Sequence, residues 1–118
     1  KSPIAIEGSD LTKHNPATRA RVKLWGELGI SVDGRPEWQF IKMHTHGAPD
    51  AQAESLLGPE GVRMHELLAE LYNQDGCKLH YVSAREMFNI ARAAMDGKSG
   101  DPNAYRDYVL PPPPAALA

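Results

Sequence analysis

Cysteine is almost absent from this chain, and so are the long apolar runs of membrane proteins. Cys77 is the only cysteine among 118 residues, so no disulfide can form within the chain. A reduced, cytoplasmic protein is therefore the expectation. No apolar run approaches the roughly 20 residues that a membrane-spanning helix requires. The sequence opens without a signal-peptide pattern and without an initiator methionine, as we expect of a processed, excised or truncated chain.

Excess charge of either sign is also lacking. Lysine and arginine number 13 against 15 acidic residues, which gives a net charge of −2. Nucleic acids and anionic membranes are bound by basic surfaces, so we expect neither as a partner. The apolar content of 42% and the charged content of 24% are ordinary for a soluble globular protein. We expect a single α/β domain, or part of a barrel, over residues 1–110.

A proline-rich tail over residues 111–118 follows this domain. It contains four consecutive prolines, Pro111 to Pro114, which favour the extended polyproline II conformation. A simple tail is the first interpretation, and a ligand for a proline-binding module is the second.

Turn and cap residues divide the rest of the chain into alternating strands and helices. Asn15 before Pro16 predicts the start of the first helix, and Ser83 with Glu86 predicts a capping box at the start of the last. This alternation predicts parallel βα units joined by right-handed crossovers. The predicted strands cover residues 4–7, 30–32, 38–48 and 78–82, and the predicted helices cover 17–28, 51–57, 59–72 and 84–96.

The strand predicted over residues 38–48 begins apolar and ends in His-Thr-His-Gly. Alternation places Trp38, Phe40, Lys42, His44 and His46 on one face of it. A lysine on that face would be a buried charge in an open sheet covered by helices on both sides. The upper layer of a barrel interior accepts charged site residues, so the pattern favours part of a (β/α) barrel.

The two histidines are the strongest candidates for chemistry. At positions i and i+2 of a strand, His44 and His46 have Cα atoms about 7 Å apart on one face. They can bind one metal ion, or His44 can act as a general acid while His46 contacts substrate. Lys42 would discourage a cation there and could stabilise an oxyanion instead. A purely structural pair at a strand end is the third interpretation.

A metal would need at least one more ligand. The candidates Asp10, Asp50, Glu66 and His80 are scattered, and none has a ligand-like spacing to the two histidines. Asp10 is more typical of a turn or cap residue. The basic stretch at residues 19–23 predicts a solvated helix face, with contact to an anionic substrate or partner as the alternative.

Two stretches carry a resemblance to a known family. They are residues 34–48, which run from Gly-Arg-Pro-Glu-Trp through His-Thr-His-Gly-Ala, and residues 79–90 (Leu-His-Tyr-Val-Ser-Ala-Arg-Glu-Met-Phe-Asn-Ile). The pattern resembles the C-terminal part of polysaccharide deacetylase-like proteins, which often accompany bacterial surface-glycan synthesis. The resemblance covers roughly residues 20 to 110.

This resemblance implies the C-terminal part of a (β/α) barrel that acts on N- or O-acetylated glycans. His44 would be the general acid, and Met43 would line the acyl pocket, while Lys42, His46 and Trp38 would contact substrate. The family uses a divalent metal, usually zinc, which an aspartate and two histidines bind in earlier motifs. Those motifs are not found in this chain, so the chain would supply one wall of the site and should not deacetylate by itself.

Two other functions stay open, and with them the question of whether the chain is an enzyme. Residues 43–47 resemble the Asp-x-His-x-His strand of metal-dependent amidohydrolases and related phosphoesterases, with Lys42 in place of the aspartate. His44 and His46 would then be metal ligands. Alternatively, the chain is a non-catalytic glycan-binding or assembly subunit. A missing N-terminal region or self-association could complete the fold.

Overall fold

The computed structural model describes residues 6–47 and 49–115 as a mixture of helices and strands. Its elements, in chain order, are α1 (Arg19–Glu27), β1 (Ser31–Val32), β2 (Arg35–Gln39), α2 (Asp50–Leu57), α3 (Pro59–Tyr72) and α4 (Ala84–Met95), followed by a 3₁₀ turn (Pro102–Tyr105). The broad expectation of a mixed α and β protein is therefore confirmed. Among the described residues, the only sheet is the antiparallel pair β1–β2, and no parallel βα unit or closed barrel is seen. None of the described helices is long and apolar enough to cross a membrane.

The chain divides into two compact units, and neither is continuous in sequence. The first unit consists of residues 1–28 and 41–79, and the second consists of residues 29–40 and 80–118. The single domain expected over residues 1–110 stays a prediction.

The core of the first unit lies between α1 and α3. Val22 and Trp25 are buried on α1, and Met64, Leu67 and Leu68 are buried on α3. The i, i+3 and i+4 spacings place these side chains on one stripe of each helix, as the sequence predicts. The start of α1 differs from the prediction: Thr18, not Asn15, is the N-cap, and its hydroxyl accepts the N–H of Arg21 at 3.3 Å. The amide of Asn15 donates instead to Asp10 at 2.9 Å.

Tyr72 joins α3 to α1 by hydrogen bonds to the α1 backbone. Its hydroxyl accepts the N–H of Gly26 at 3.0 Å and donates to the carbonyl oxygen of Val22 at 2.5 Å. Burial raises the pKa of this phenol. A Cβ at position 26 would overlap the tyrosine ring, so the close approach of the two helices requires glycine there.

The core of the second unit forms where α4 packs against the β1–β2 hairpin. Trp38 is buried with Ile90, Ala93 and Ala94 of the helix. Arg35 of β2 donates to the carbonyl oxygens of Ala94 and Lys98 and so covers the C-terminal end of α4.

The start of α4 matches the predicted capping box. The Ser83 hydroxyl accepts the N–H of Glu86 at 3.3 Å, and the Glu86 carboxylate accepts the N–H of Ser83 at 2.7 Å. These bonds satisfy backbone donors that a helix start leaves unpaired.

Asn89, on the buried face of α4, holds the segment of residues 106–110 against the helix. Its side chain is fully buried, and its amide nitrogen donates to the carbonyl oxygens of Arg106 at 2.7 Å and Leu110 at 2.8 Å. Its amide oxygen accepts the N–H groups of Val109 at 3.1 Å and Leu110 at 2.8 Å. Because both polar atoms are satisfied, a polar residue is tolerated in this core.

The strand predictions are less accurate than the helix predictions. The strand expected over residues 38–48 ends at Gln39, and residues 78–82 are not in a strand. In that second segment Leu79 packs against the core of the first unit and Val82 against that of the second, so apolar burial occurs there without strand pairing. The strand expected over residues 4–7 lies partly outside the described residues, and residues 6–7 are not in a strand.

We predict that Asn89→Ala lowers the free energy of unfolding by about 2–4 kcal/mol, because it removes the four hydrogen bonds that this fully buried side chain makes with the backbone of residues 106, 109 and 110. Urea unfolding followed by circular dichroism would measure the change. The matched control is Asn103→Ala, which removes an exposed asparagine from the same unit and should change stability by less than about 0.5 kcal/mol. Equal effects of the two substitutions would contradict the role of Asn89.

Candidate functional site

Residues 41–46 alternate between the core of the first unit and solvent. Ile41 and Met43 pack against the core, whereas Lys42, His44 and His46 are exposed. The side chains of this segment therefore alternate as in a β-strand, although only one backbone bridge stabilises the segment. This geometry presents the lysine and both histidines to solvent.

The bridge joins His44 to the loop that precedes α1. The N–H of His44 donates to the carbonyl oxygen of Ser9 at 3.0 Å, and the N–H of Leu11 donates to the carbonyl oxygen of His44 at 2.8 Å. These two bonds define a parallel bridge between Asp10 and His44. It is the only parallel pairing in the described part of the chain.

The bridge makes Asp10 the backbone neighbour of His44. Bridged residues lie side by side, with strand axes about 4.8 Å apart, and their side chains point to the same side of the pleat. The next residue, Leu11, is buried in the core, which places Asp10 and His44 on the outer side. The carboxylate of Asp10 accepts a hydrogen bond from the side-chain amide of Asn15 at 2.9 Å. The backbone neighbour of the candidate general acid is therefore an acidic residue.

The rings of His44 and His46 are close to each other. Their centroids are 5.9 Å apart, and the planes are nearly perpendicular at 87°. Within residues 6–47 and 49–115, no group of three or more histidine, cysteine, aspartate or glutamate side chains is arranged to hold a metal ion. Of the candidate third ligands, only Asp10 is placed beside the histidines by a backbone bridge. Glu66 forms an ion pair with Arg63 at 3.2 Å, and His80 belongs to the second unit.

Trp38 is buried, unlike the histidines. Its ring lies in the core of the second unit, and its indole N–H donates to the carbonyl oxygen of Gly100 at 3.2 Å. Trp38 and Phe40 pack into the second unit, whereas Ile41 and Met43 pack into the first. The buried positions thus change from even to odd residue numbers where the chain changes units, between residues 40 and 41. The expectation of one continuous face from Trp38 to His46 stays a prediction.

Lys42 is exposed, whereas the argument for a barrel assumed that an open sheet would bury its charge under helices. An ammonium group in water requires no barrel interior to accommodate it. The argument for a barrel that rested on this lysine therefore loses its premise.

Sequence reasoning missed the role of Arg21. Its guanidinium binds the carboxylate of Glu7 through two hydrogen bonds, of 2.8 Å and 2.7 Å. It also donates to the carbonyl oxygens of Asp10 at 2.8 Å, Asn15 at 2.6 Å and Pro16 at 3.0 Å. All five donors of the guanidinium are used. Arg21 thus fixes the backbone of the segment that carries Asp10.

The expectation of a solvated basic face holds for the neighbours of Arg21. Arg19 pairs with Glu70 at 2.6 Å, and Lys23 pairs with Glu27 at 3.4 Å, with these side chains largely exposed. Arg21 precedes the buried Trp25 by four residues, so it lies on the apolar side of α1, and its guanidinium lies over the indole ring at 5.5 Å from the centroid. The i, i+4 spacing of Arg21 and Trp25 was the signal in the sequence that could have identified the role of Arg21.

Glu7 and Arg21 line an open depression of about 400 Å³ in the first unit, together with Ile6, Asn15, Ala20 and Leu24. The guanidinium of Arg21 lowers the pKa of Glu7 to about 2, and the N–H of Ser9 assists at 2.8 Å. The two charges satisfy each other, so the depression offers no unpaired cation to an anionic ligand.

Comparisons of this chain with family models, with curated proteins and with solved structures find no match. The site is therefore interpreted from its own residues.

We predict that Glu7→Gln lowers the free energy of unfolding at pH 7 by about 1–3 kcal/mol, because Arg21 loses a charged partner in a half-buried position. The native pKa of Glu7 lies below its unfolded value, so its stabilising contribution is complete above about pH 4.5 and is lost as the pH falls toward 2. The difference between wild type and variant should shrink over that interval. Urea unfolding at several pH values would measure it.

The matched control for this experiment is Glu27→Gln, which removes the acidic partner of Lys23 from an exposed ion pair on α1, the helix that carries Arg21. It should change stability by less than about 1 kcal/mol at any pH. A variant of Glu7 that loses no more than the control at pH 7 would disprove the importance of the Arg21 contacts.

Proposed function

We propose that this chain supplies the general-acid histidine, His44, of a polysaccharide deacetylase-like hydrolase that acts on N- or O-acetylated glycans. The observation that carries the proposal is the bridge between Asp10 and His44, which makes an acidic residue the backbone neighbour of an exposed histidine. The family resemblance of residues 34–48 and 79–90 supports the same assignment. The (β/α) barrel that the family would imply is part of the proposal.

Removal of an acetyl group requires a proton for the leaving amine or alkoxide. A protonated imidazole can donate that proton at neutral pH, and positioned acids of this kind typically accelerate such reactions by about 10²- to 10⁴-fold. A carboxylate that hydrogen-bonds the ring can orient it toward the leaving group, and we assign this role to Asp10. The contacts of Arg21 with its backbone and of Asn15 with its side chain support this assignment, because they hold Asp10 in place.

The neighbours of His44 have plausible roles in the same reaction. The exposed ammonium of Lys42 can stabilise negative charge on the acyl oxygen, and His46 can bind a sugar hydroxyl. Met43 is half-buried against the core, so only its exposed part could line an acyl pocket. Trp38 is buried elsewhere and is the least suited of the five to bind substrate.

The divalent metal of deacetylases does not fit the described residues, because they contain no set of three suitable ligands. We therefore assign no step to a metal on this chain. The metal ligands would have to come from residues outside the chain, in an upstream region or in another subunit.

A metal-dependent amidohydrolase or phosphoesterase is the second candidate. The 5.9 Å separation of the His44 and His46 rings favours it, because two imidazoles at this distance can approach a common ion. The exposed ammonium of Lys42, two residues before His44, opposes it. A non-catalytic glycan-binding or assembly subunit is the third candidate, which the exposed position of the histidines also permits.

The protein isolated from its source cells should release acetate from acetylated chitooligosaccharides. We predict that His44→Ala reduces kcat by about 10²- to 10⁴-fold, and that Asp10→Asn reduces it by about 10- to 100-fold. The matched control is His14→Ala, an exposed histidine of the first unit, which should leave kcat unchanged.

Zinc titration of the 118-residue chain separates the candidates. Tight binding that His46→Ala abolishes would favour the amidohydrolase-like alternative. Saturable binding of the oligosaccharide without acetate release, by the protein from its source cells, would favour the binding subunit. Unchanged acetate release by the His44 variant would refute the general-acid role.

A further inference from the structure

The run of prolines at residues 111–114 begins at an immobilised residue. The N–H of Leu110 donates to Asn89, and its carbonyl oxygen accepts hydrogen bonds from Asn89 at 2.8 Å and from Arg85 at 2.6 Å. Asn89 is fully buried. Both backbone polar groups of the residue before the first proline are thus fixed to α4, which fixes the point where the run leaves the second unit.

Beyond Leu110 the chain is exposed. Residues 111–115 are all accessible to solvent and form no helix or strand, and residues 116–118 lie outside the described part. Each proline has its φ angle set near −65° and lacks an N–H group. The run therefore favours polyproline II, in which four residues span roughly 12 Å and every carbonyl oxygen stays available as an acceptor.

A preformed extended segment of this kind binds at a low entropic cost, because little conformational freedom remains to be lost. Aromatic-lined grooves recognise such segments by packing rings against the prolines and donating hydrogen bonds to the carbonyl oxygens. Leu110, which is exposed by 45%, adds an apolar side chain next to the run.

The charges around the run limit the kind of groove. Residues 107–115 contain no lysine or arginine. The nearest basic residue in the sequence, Arg106, pairs with Glu86 at 3.1 Å and donates to the carbonyl oxygen of Tyr81 at 3.0 Å. Arg85, which donates to the carbonyl oxygen of Leu110, pairs with Asp107 at 2.7 Å. A groove with an acidic pocket requires a basic side chain next to the prolines, and residues 107–115 supply none.

We propose that residues 110–114 are a docking ligand that binds, as a polyproline II helix, to an aromatic-lined groove without an acidic pocket on a partner protein. This interaction is independent of the hydrolase function proposed for His44. The contacts of Leu110 with α4 fix the point at which the run begins.

The test is a calorimetric titration of the whole 118-residue chain with three purified probes: an SH3, a WW and an EVH1 domain. We expect saturable binding to the WW or the EVH1 probe. Pro112→Ala combined with Pro113→Ala should weaken that binding at least about tenfold, because alanine restores backbone freedom and removes the ring contacts. The circular dichroism spectrum should show that the fold is unchanged.

The matched control is Pro59→Ala, an exposed proline at the start of α3, which should bind with the affinity of the wild type. Equal binding by the double variant, or no binding to any of the three probes, would show that the run acts as a spacer only. Binding confined to the SH3 probe would overturn the inference that the groove has no acidic pocket.

Discussion

The hydrogen bonds of one arginine hold together the segment on which the candidate site depends. Arg21 fixes Glu7 and three backbone carbonyl groups between residues 10 and 16. Residues 10–16 form no helix, and a single parallel bridge is not enough to fix the path of their backbone. Because Leu11 is buried between α1 and the strand-like residues 41–43, the arginine and the core together set the register that makes Asp10 the neighbour of His44. The chemistry of the site is thus linked to a residue that would contact no substrate.

The sequence predicts the helices well because their signals are local. A capping box at Ser83, a proline at the start of α3 and a left-handed glycine at position 29 each lie within a few residues of the helix end that they define. The apolar stripes of α1 and α3 are equally local. The error at Asn15 arose because its amide is used in a contact with Asp10, which no propensity of the helix reveals.

The strands were harder to predict because pairing depends on distant segments. Residues 78–82 are rich in β-branched and aromatic side chains, yet no described segment lies beside them to form a ladder. The candidate site could be predicted only in part, for the same reason. The sequence singles out both histidines and Lys42, and it offers Asp10 as one of several scattered carboxylates. Only the fold distinguishes Asp10 from Asp50 and Glu66, since the bridge to His44 spans more than thirty residues.

The path of the chain between the two units has a consequence for modularity. The chain enters or leaves a unit at residues 28–29, 40–41 and 79–80, so the hairpin of the second unit is inserted within the sequence of the first. No single cut separates the units into contiguous pieces, and a nick in the turn at residues 73–76 would leave both fragments with incomplete cores. Neither unit can therefore be cut out of the chain, or produced separately, as one uninterrupted segment.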